Sequence, residues 1–274
     1  MSDRAATTSA SIEGGKKCLA IVDKLSSEVF NSDFPPVDWA DMSLLGPHEA
    51  IRRQMTMMTR SVRAIPDDPA EDELWKVTLF ARWYTEYFFV SVEEHHDAEE
   101  KIYFPWIKSK SEYPEGEFHA SHESLSSEMK GMRVACETIR MRQGRGCEDE
   151  IALLKDVVPA FERNMLAHLR EEEETIPELL RKNFTREEEG EVVGRIAQAG
   201  GLTLTERFFP AILLAMREWA ASDFYDELLA SMPPPVRELV FEQYLPNFEN
   251  VVVPMRDAPT LEEKPASTVS IMDG

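Results

Sequence analysis

Residues 84–106 read YTEYFFVSVEEHHDAEEKIYFPW, and the fold turns on how their apolar positions are spaced. Tyr84, Phe88, Val92, His95, Glu99, Ile102 and Trp106 recur at steps of three and four, the spacing that gathers side chains on one face of a helix. His95 and Glu99 stand inside that stripe with apolar neighbours before and after them. The register shifted by one, Thr85, Phe89, Glu93, His96, Glu100 and Tyr103, is more polar and predicts His96 and Glu100 at the boundary of the core. Residues 154–179, LKDVVPAFERNMLAHLREEEETIPEL, repeat the arrangement: Leu154, Val158, Phe161, Met165, His168, Glu172, Ile176 and Leu179 share a face, again with His and Glu four apart.

Working outward, apolar residues keep the helical period through 42–65, 70–110, 117–143 and 148–182. Breaks fall at IPDDP (65–69), YPEGE (113–117) and QGRGCEDE (143–150), where Pro and Gly interrupt the pattern. Four helices with short polar connections predict an all-α, antiparallel up-down four-helix bundle over residues 17–183, lead-in included. A second helical region, 184–256, is broken by AGG (199–201) and MPPP (232–235) and is expected as an extension packed on the bundle. Residues 1–16 and 257–274, rich in Ser, Thr, Ala, Pro and charge, are expected as flexible tails.

All six histidines lie in the first 168 residues, and each of the four bundle helices carries at least one. His48 is in register with Ile51, Met55 and Met58, and His122 with Leu125, Met129 and Met132. Four imidazoles (His48, His95, His122, His168) and two carboxylates (Glu99, Glu172) therefore converge on one core. Burying unpaired carboxylates is strongly disfavoured, and a bound cation compensates them. Imidazole with carboxylate oxygen suits iron, manganese or zinc, and a carboxylate shared between helices lets two ions occupy one bundle core. Glu172 follows from helical phase, with Glu171 and Glu173 as alternatives in the same acidic run. His96 and His119 are expected as boundary histidines bonded to a carboxylate or carbonyl, and Tyr84, Tyr87 and Tyr103 as packing residues. Ferritin-like sites need Glu-x-x-His on two helices, but Glu93-x-x-His96 occurs once. A phosphohydrolase-like set around His96-Asp97 and His48 leaves His168 and Glu172 without a role.

The segments LLGPHEAIRRQM, HHDAEEKIYFPW, SHESLSSEM and HLREEEETIP resemble the hemerythrin-like, or HHE cation-binding, family over residues of about 40–183. The resemblance implies a non-haem centre of two iron ions, joined by an oxo or hydroxo oxygen, with His48, His95, His122 and His168 as nitrogen ligands and Glu99 and Glu172 as bridges. Manganese is the alternative metal. Oxygen carriers of that family place two histidines four apart on the third helix, whereas His119 and His122 are three apart, so a fifth nitrogen ligand is not expected there. The implied function is binding of dioxygen or a related small ligand such as nitric oxide, or sensing of iron or oxygen. The alternative is a di-iron oxidase acting on a small molecule with dioxygen or peroxide.

Composition sets the surroundings. With 30 basic and 51 acidic residues the formal charge is −21, a field that repels nucleic-acid phosphates and anionic membrane surfaces alike. Cys18, Cys136 and Cys147 are odd in number and without a paired spacing, which points to a reducing compartment. No apolar run reaches the roughly 20 residues of a membrane span, so a cytoplasmic protein is expected, with a protein partner on the C-terminal extension as a further option.

Overall fold

A computed structural model describes residues 38–220 and 222–267; the expected first tail, the lead-in before residue 38 with Cys18, and residues 268–274 lie outside it. Every regular element among the described residues is helical. Helix α1 spans Trp39–Ala64. Helix α2, residues 74–108, is one continuous rod in which Tyr84–Phe88 and Glu99–Tyr103 are π turns; the residues at each junction keep right-handed helical dihedrals. Helix α3 is Glu115–Arg142 and α4 is Glu148–Asn183. Helix α5 is Arg186–Thr203, α6 covers 204–219, α7 is Ser222–Ser231 and α8 covers 234–257.

The connections show why the chain turns where it does. After α3, Gln143 adopts φ 52° and Gly144 φ 81°, the left-handed ending that favours glycine. A Cβ on Gly144 would stand 3.0 Å from a Val77 methyl and 3.1 Å from the Leu74 carbonyl, so α3 can close on the start of α2 here because the side chain is missing. Helix α5 opens with a capping box: Thr185 accepts from the Glu188 amide, and Glu188 accepts from the Thr185 amide. The AGG break is a kink inside α5, where Gly201 takes φ 53° and ψ −135°.

Helix α4 packs on α1 and on α3, and α3 packs on α2. Along the flank between α1 and α2 lie α6 and the end of α8 with the short turn Ala258–Thr260. The predicted stripes of α1, α3 and α4 are buried: Ile51, Met55, Met58, Leu125, Met129, Met132, Leu154, Val158, Phe161, Met165 and Ile176 are at most 2% exposed. Fully burying one such side chain contributes about 1.5–3 kcal/mol, so this interior is the main stabilising element of the fold.

Three details depart from expectation. Beyond Glu99 the buried face of α2 is Tyr103, Phe104 and Ile107, not Ile102 and Trp106. The π turn Glu99–Tyr103 inserts one extra residue per turn and rotates everything after it, which a fixed 3.6-residue phase does not capture. Near the end of α4, Leu180 is buried and Leu179 is half-buried. Finally, the stretch expected to be a loose tail from 257 continues as structure: Ala258 is 0% exposed and Pro259 is buried beside α1 and α2. Small apolar residues pack there against α1 and α2, a contact that composition cannot reveal. No described helix is long and apolar enough to cross a membrane.

Candidate metal centre

The six residues singled out by spacing come together in the core. His48, His95, Glu99, His122, His168 and Glu172 are all at most 7% exposed. The Glu99 carboxylate reaches two ways: Oε1 lies 3.7 Å from His48 Nε2 and 3.4 Å from His95 Nε2, while Oε2 lies 3.6 Å from His122 Nε2. Glu172 mirrors it, with Oε2 3.4 Å from His48 Nε2 and Oε1 3.4 and 3.6 Å from the Nε2 atoms of His122 and His168. Two halves follow from this geometry, one around His48 and His95 and the other around His122 and His168, with both carboxylates shared between them.

His96 belongs to the second half, which corrects its reading as a boundary residue. It is 6% exposed, stacked on His122 with ring centroids 4.2 Å apart, and its ligating atom falls within 4.8 Å of those of His122 and His168. The signal was present in the sequence. Val92, His95, His96 and Glu99 sit at i, i+3, i+4 and i+7, and a core-facing helix buries a stripe wider than a single row. His119 stays outside, 57% exposed at its side chain, with Nδ1 3.2 Å from Glu100.

The rings are held from behind. His48 Nδ1 lies 2.8 Å from Glu173, which also accepts from Arg52 at 2.5–2.6 Å. Arg52 and Arg53 flank the buried Glu49, and Arg53 pairs in turn with Glu218 of α6. On the other half Glu100 accepts at 2.8 Å from His122 Nδ1. Of the acidic run, Glu171 and Glu174 are exposed, and Glu173, one of the alternatives to Glu172, is not. Its side chain is 8% exposed, because its position beside Glu172 aims it at α1. Tyr84 donates to the Met129 carbonyl at 3.0 Å and Tyr103 shares a hydrogen bond with Ser43 at 2.7 Å, so both hydroxyls are engaged in packing contacts.

Electrostatics records the crowding. Burial alone lowers His48 and His122, yet Glu173, Glu99 and Glu172 raise His48 to about 9, and Glu172, Glu99 and Glu100 raise His122 to about 9. His95 and His96 are pushed well below the usual imidazole range by burial and by neighbouring histidines, and His168 is brought to about 4 by burial and by His122 and His48, against the pull of Glu172. Burial and the Glu172 charge raise Glu99 to about 7. Buried donor atoms without a hydrogen-bond partner are concentrated here: Nε2 of His48 and His95, both ring nitrogens of His96, and both carboxylate oxygens of Glu99 and Glu172. His122 Nε2 and His168 Nε2 stand 3.0 Å apart. An unsatisfied buried polar atom costs about 1–3 kcal/mol, so a cluster of this size fits a bound cation.

Comparison with protein-family models matches residues 43–180, just over half of the 274-residue chain, to the hemerythrin HHE cation binding domain. Comparison with curated proteins and with solved structures finds no match.

Proposed function

Because the chain belongs to the hemerythrin HHE cation-binding family, we propose that α1–α4 form its antiparallel four-helix bundle and hold about two iron ions between shared carboxylates. His48 and His95 would hold one ion and His96, His122 and His168 the other, with Glu99 and Glu172 placed to contribute to both. The observation that carries this reading is that each bridging carboxylate directs its two oxygens at different halves. Glu173 and Glu100 hold His48 and His122 by their Nδ1 atoms, which leaves Nε2 to face the centre. Iron held there would supply electron-transfer chemistry and a position at which a small ligand binds.

The chain's own part is to keep that position dry and small. Phe208 of α6 lies 6.3 Å, centroid to centroid, from the His95 ring, and Phe104 stacks on His122 at 5.8 Å. Such surroundings suit capture of dioxygen or nitric oxide, or sensing through site assembly, in a cytoplasmic protein; the free thiols Cys136 and Cys147 agree with a reducing compartment. A second reading, a di-iron oxidase with a small polar substrate, is favoured by one feature: a groove of 450 Å³ reaching His96 and His122 between α2 and α3.

Absorption spectroscopy of protein carrying its native metal, without and then with air, separates these. We expect a new near-ultraviolet or visible band on exposure to dioxygen without any organic substrate. Steady oxygen consumption with turnover of a small molecule would establish the oxidase. Metal analysis returning one ion per chain, or zinc alone, would overturn the di-iron reading.

A further inference from the structure

The buried cluster is closed on most sides. His48 is 0% exposed and backed by Glu173 and Arg52; His95 faces Phe208; and α6 lies so close to α1 that a Cβ on Gly46 would touch Ile212 and Met216 at 3.8–3.9 Å. The 450 Å³ groove between α2 and α3 is different, because His96 and His122 line it together with exposed carboxylates. Glu93, Asp97, Glu100 and Glu123 stand around it with His119, and Lys130 is the one Lys or Arg among the lining residues. Acid side chains alone would be a solvated surface. Here, however, His96 is 6% exposed and both its ring nitrogens lack partners. The ring therefore stands between the buried cluster and the groove that it lines, with no hydrogen bond holding it on either side.

We propose that this groove is the route by which a divalent cation reaches the core, its rim carboxylates Asp97 and Glu123 capturing the ion and Glu100 and His96 passing it inward. This rests on the metal-binding reading given above. The rim is too exposed to be a permanent site, with side chains 58% exposed at Asp97, which also pairs with Lys101, and 73% at Glu123. A neutral ligand such as dioxygen gains nothing from a charged mouth. A hydrated dication gains local concentration and encounter rate, and fields focused by such clefts raise association rates by about 10- to 1,000-fold. Glu100 is suited to the inner step because it touches both His119, outside, and His122, inside.

The test loads the metal-free full chain with Co2+, whose visible bands report His and carboxylate ligation, in a stopped-flow instrument, and measures final cobalt content separately. For the D97N/E123Q variant we expect uptake slowed by about tenfold at low salt, a smaller difference at high salt, and the parental final content. Ser127→Trp, which places bulk in the groove, slows uptake at every salt concentration. The control E171Q/E174Q, on exposed positions that do not line the groove, loads at the parental rate. Parental uptake by D97N/E123Q, or equal slowing in the control, overturns the route. A lower final content in D97N/E123Q would make the rim a permanent ligand set and also overturn it. A parent chain that takes up no cobalt overturns the metal-binding reading itself, and the route with it.

Discussion

The two halves of the centre are built from the same parts and finished differently. Around His48 and His95 there are two imidazoles, closed over by α6 and braced by the chain Glu173, Arg52, Glu49, Arg53 and Glu218. Around His122 and His168 there is a third imidazole, His96, a single half-buried brace in Glu100, and a polar groove to solvent. The lesson is that ligand count and enclosure trade against each other: the half with fewer nitrogens is the one the extension shields. Metal-holding side chains depend on the groups behind them for orientation, and typically lose 10- to 100-fold in affinity when those groups go.

Removing what the halves share should have the largest effect. On the proposed two-ion reading, Glu99→Ala and Glu172→Ala each take a ligand from both ions, so metal analysis should find most of the metal gone. Parental content in either variant would mean that the carboxylates do not bridge. Next come the variants that tell the halves apart. His95→Ala leaves its half with a single imidazole and should cost about half the metal, whereas His96→Ala leaves two nitrogens in place and should weaken binding with smaller loss. Equal loss in both would erase the asymmetry drawn here.

Smaller effects are expected from the braces. Glu173→Gln should lower metal affinity by about 10- to 100-fold in a chelator competition, and Glu100→Gln should sit at the lower end of that range because its partner ring is also held by packing against Phe104. A Glu173→Gln protein indistinguishable from parent would show that Glu173 does not brace His48.

The smallest effect concerns pH in the metal-free chain. His48 and His122 are raised to about 9 from an ordinary 6.5, so their stabilising charge is complete below 6.5 and lost as pH rises through 9. His95, His96 and His168 are lowered and stay neutral across that window, so they do not oppose the trend. The melting temperature of the metal-free protein should therefore fall between pH 6.5 and 9, while the metal-loaded protein, whose imidazoles are neutral and ligated, should not follow it. A flat profile for the metal-free chain would show that the two imidazoles do not balance Glu99 and Glu172.

Much of this centre was legible in the amino-acid order because helices translate spacing into direction. Four-residue steps place His95 with Glu99 and His168 with Glu172, and the apolar neighbours of each pair say that the face is buried. Helical phase favours Glu172 over Glu171 and Glu173 for the core face, and Glu172 is 0% exposed; the breaks at 65–69 and 143–150 mark where the chain must turn. What spacing could not carry is anything decided between elements. The π turn at Glu99 rotates the end of α2 to bury Tyr103, Phe104 and Ile107, and no local pattern announces an extra residue in a turn. Glu173 becomes a brace because α1 brings His48 and Arg52 to it, and Glu100 because α3 brings His122. Ala258 and Pro259 are buried because the chain returns to pack them on α1 and the start of α2. Sequence periodicity determines which face of a helix avoids water; which partner meets that face, and which charge stands behind it, is a property of contacts between helices, from 22 residues apart for Glu100 and His122 to 125 for Glu173 and His48.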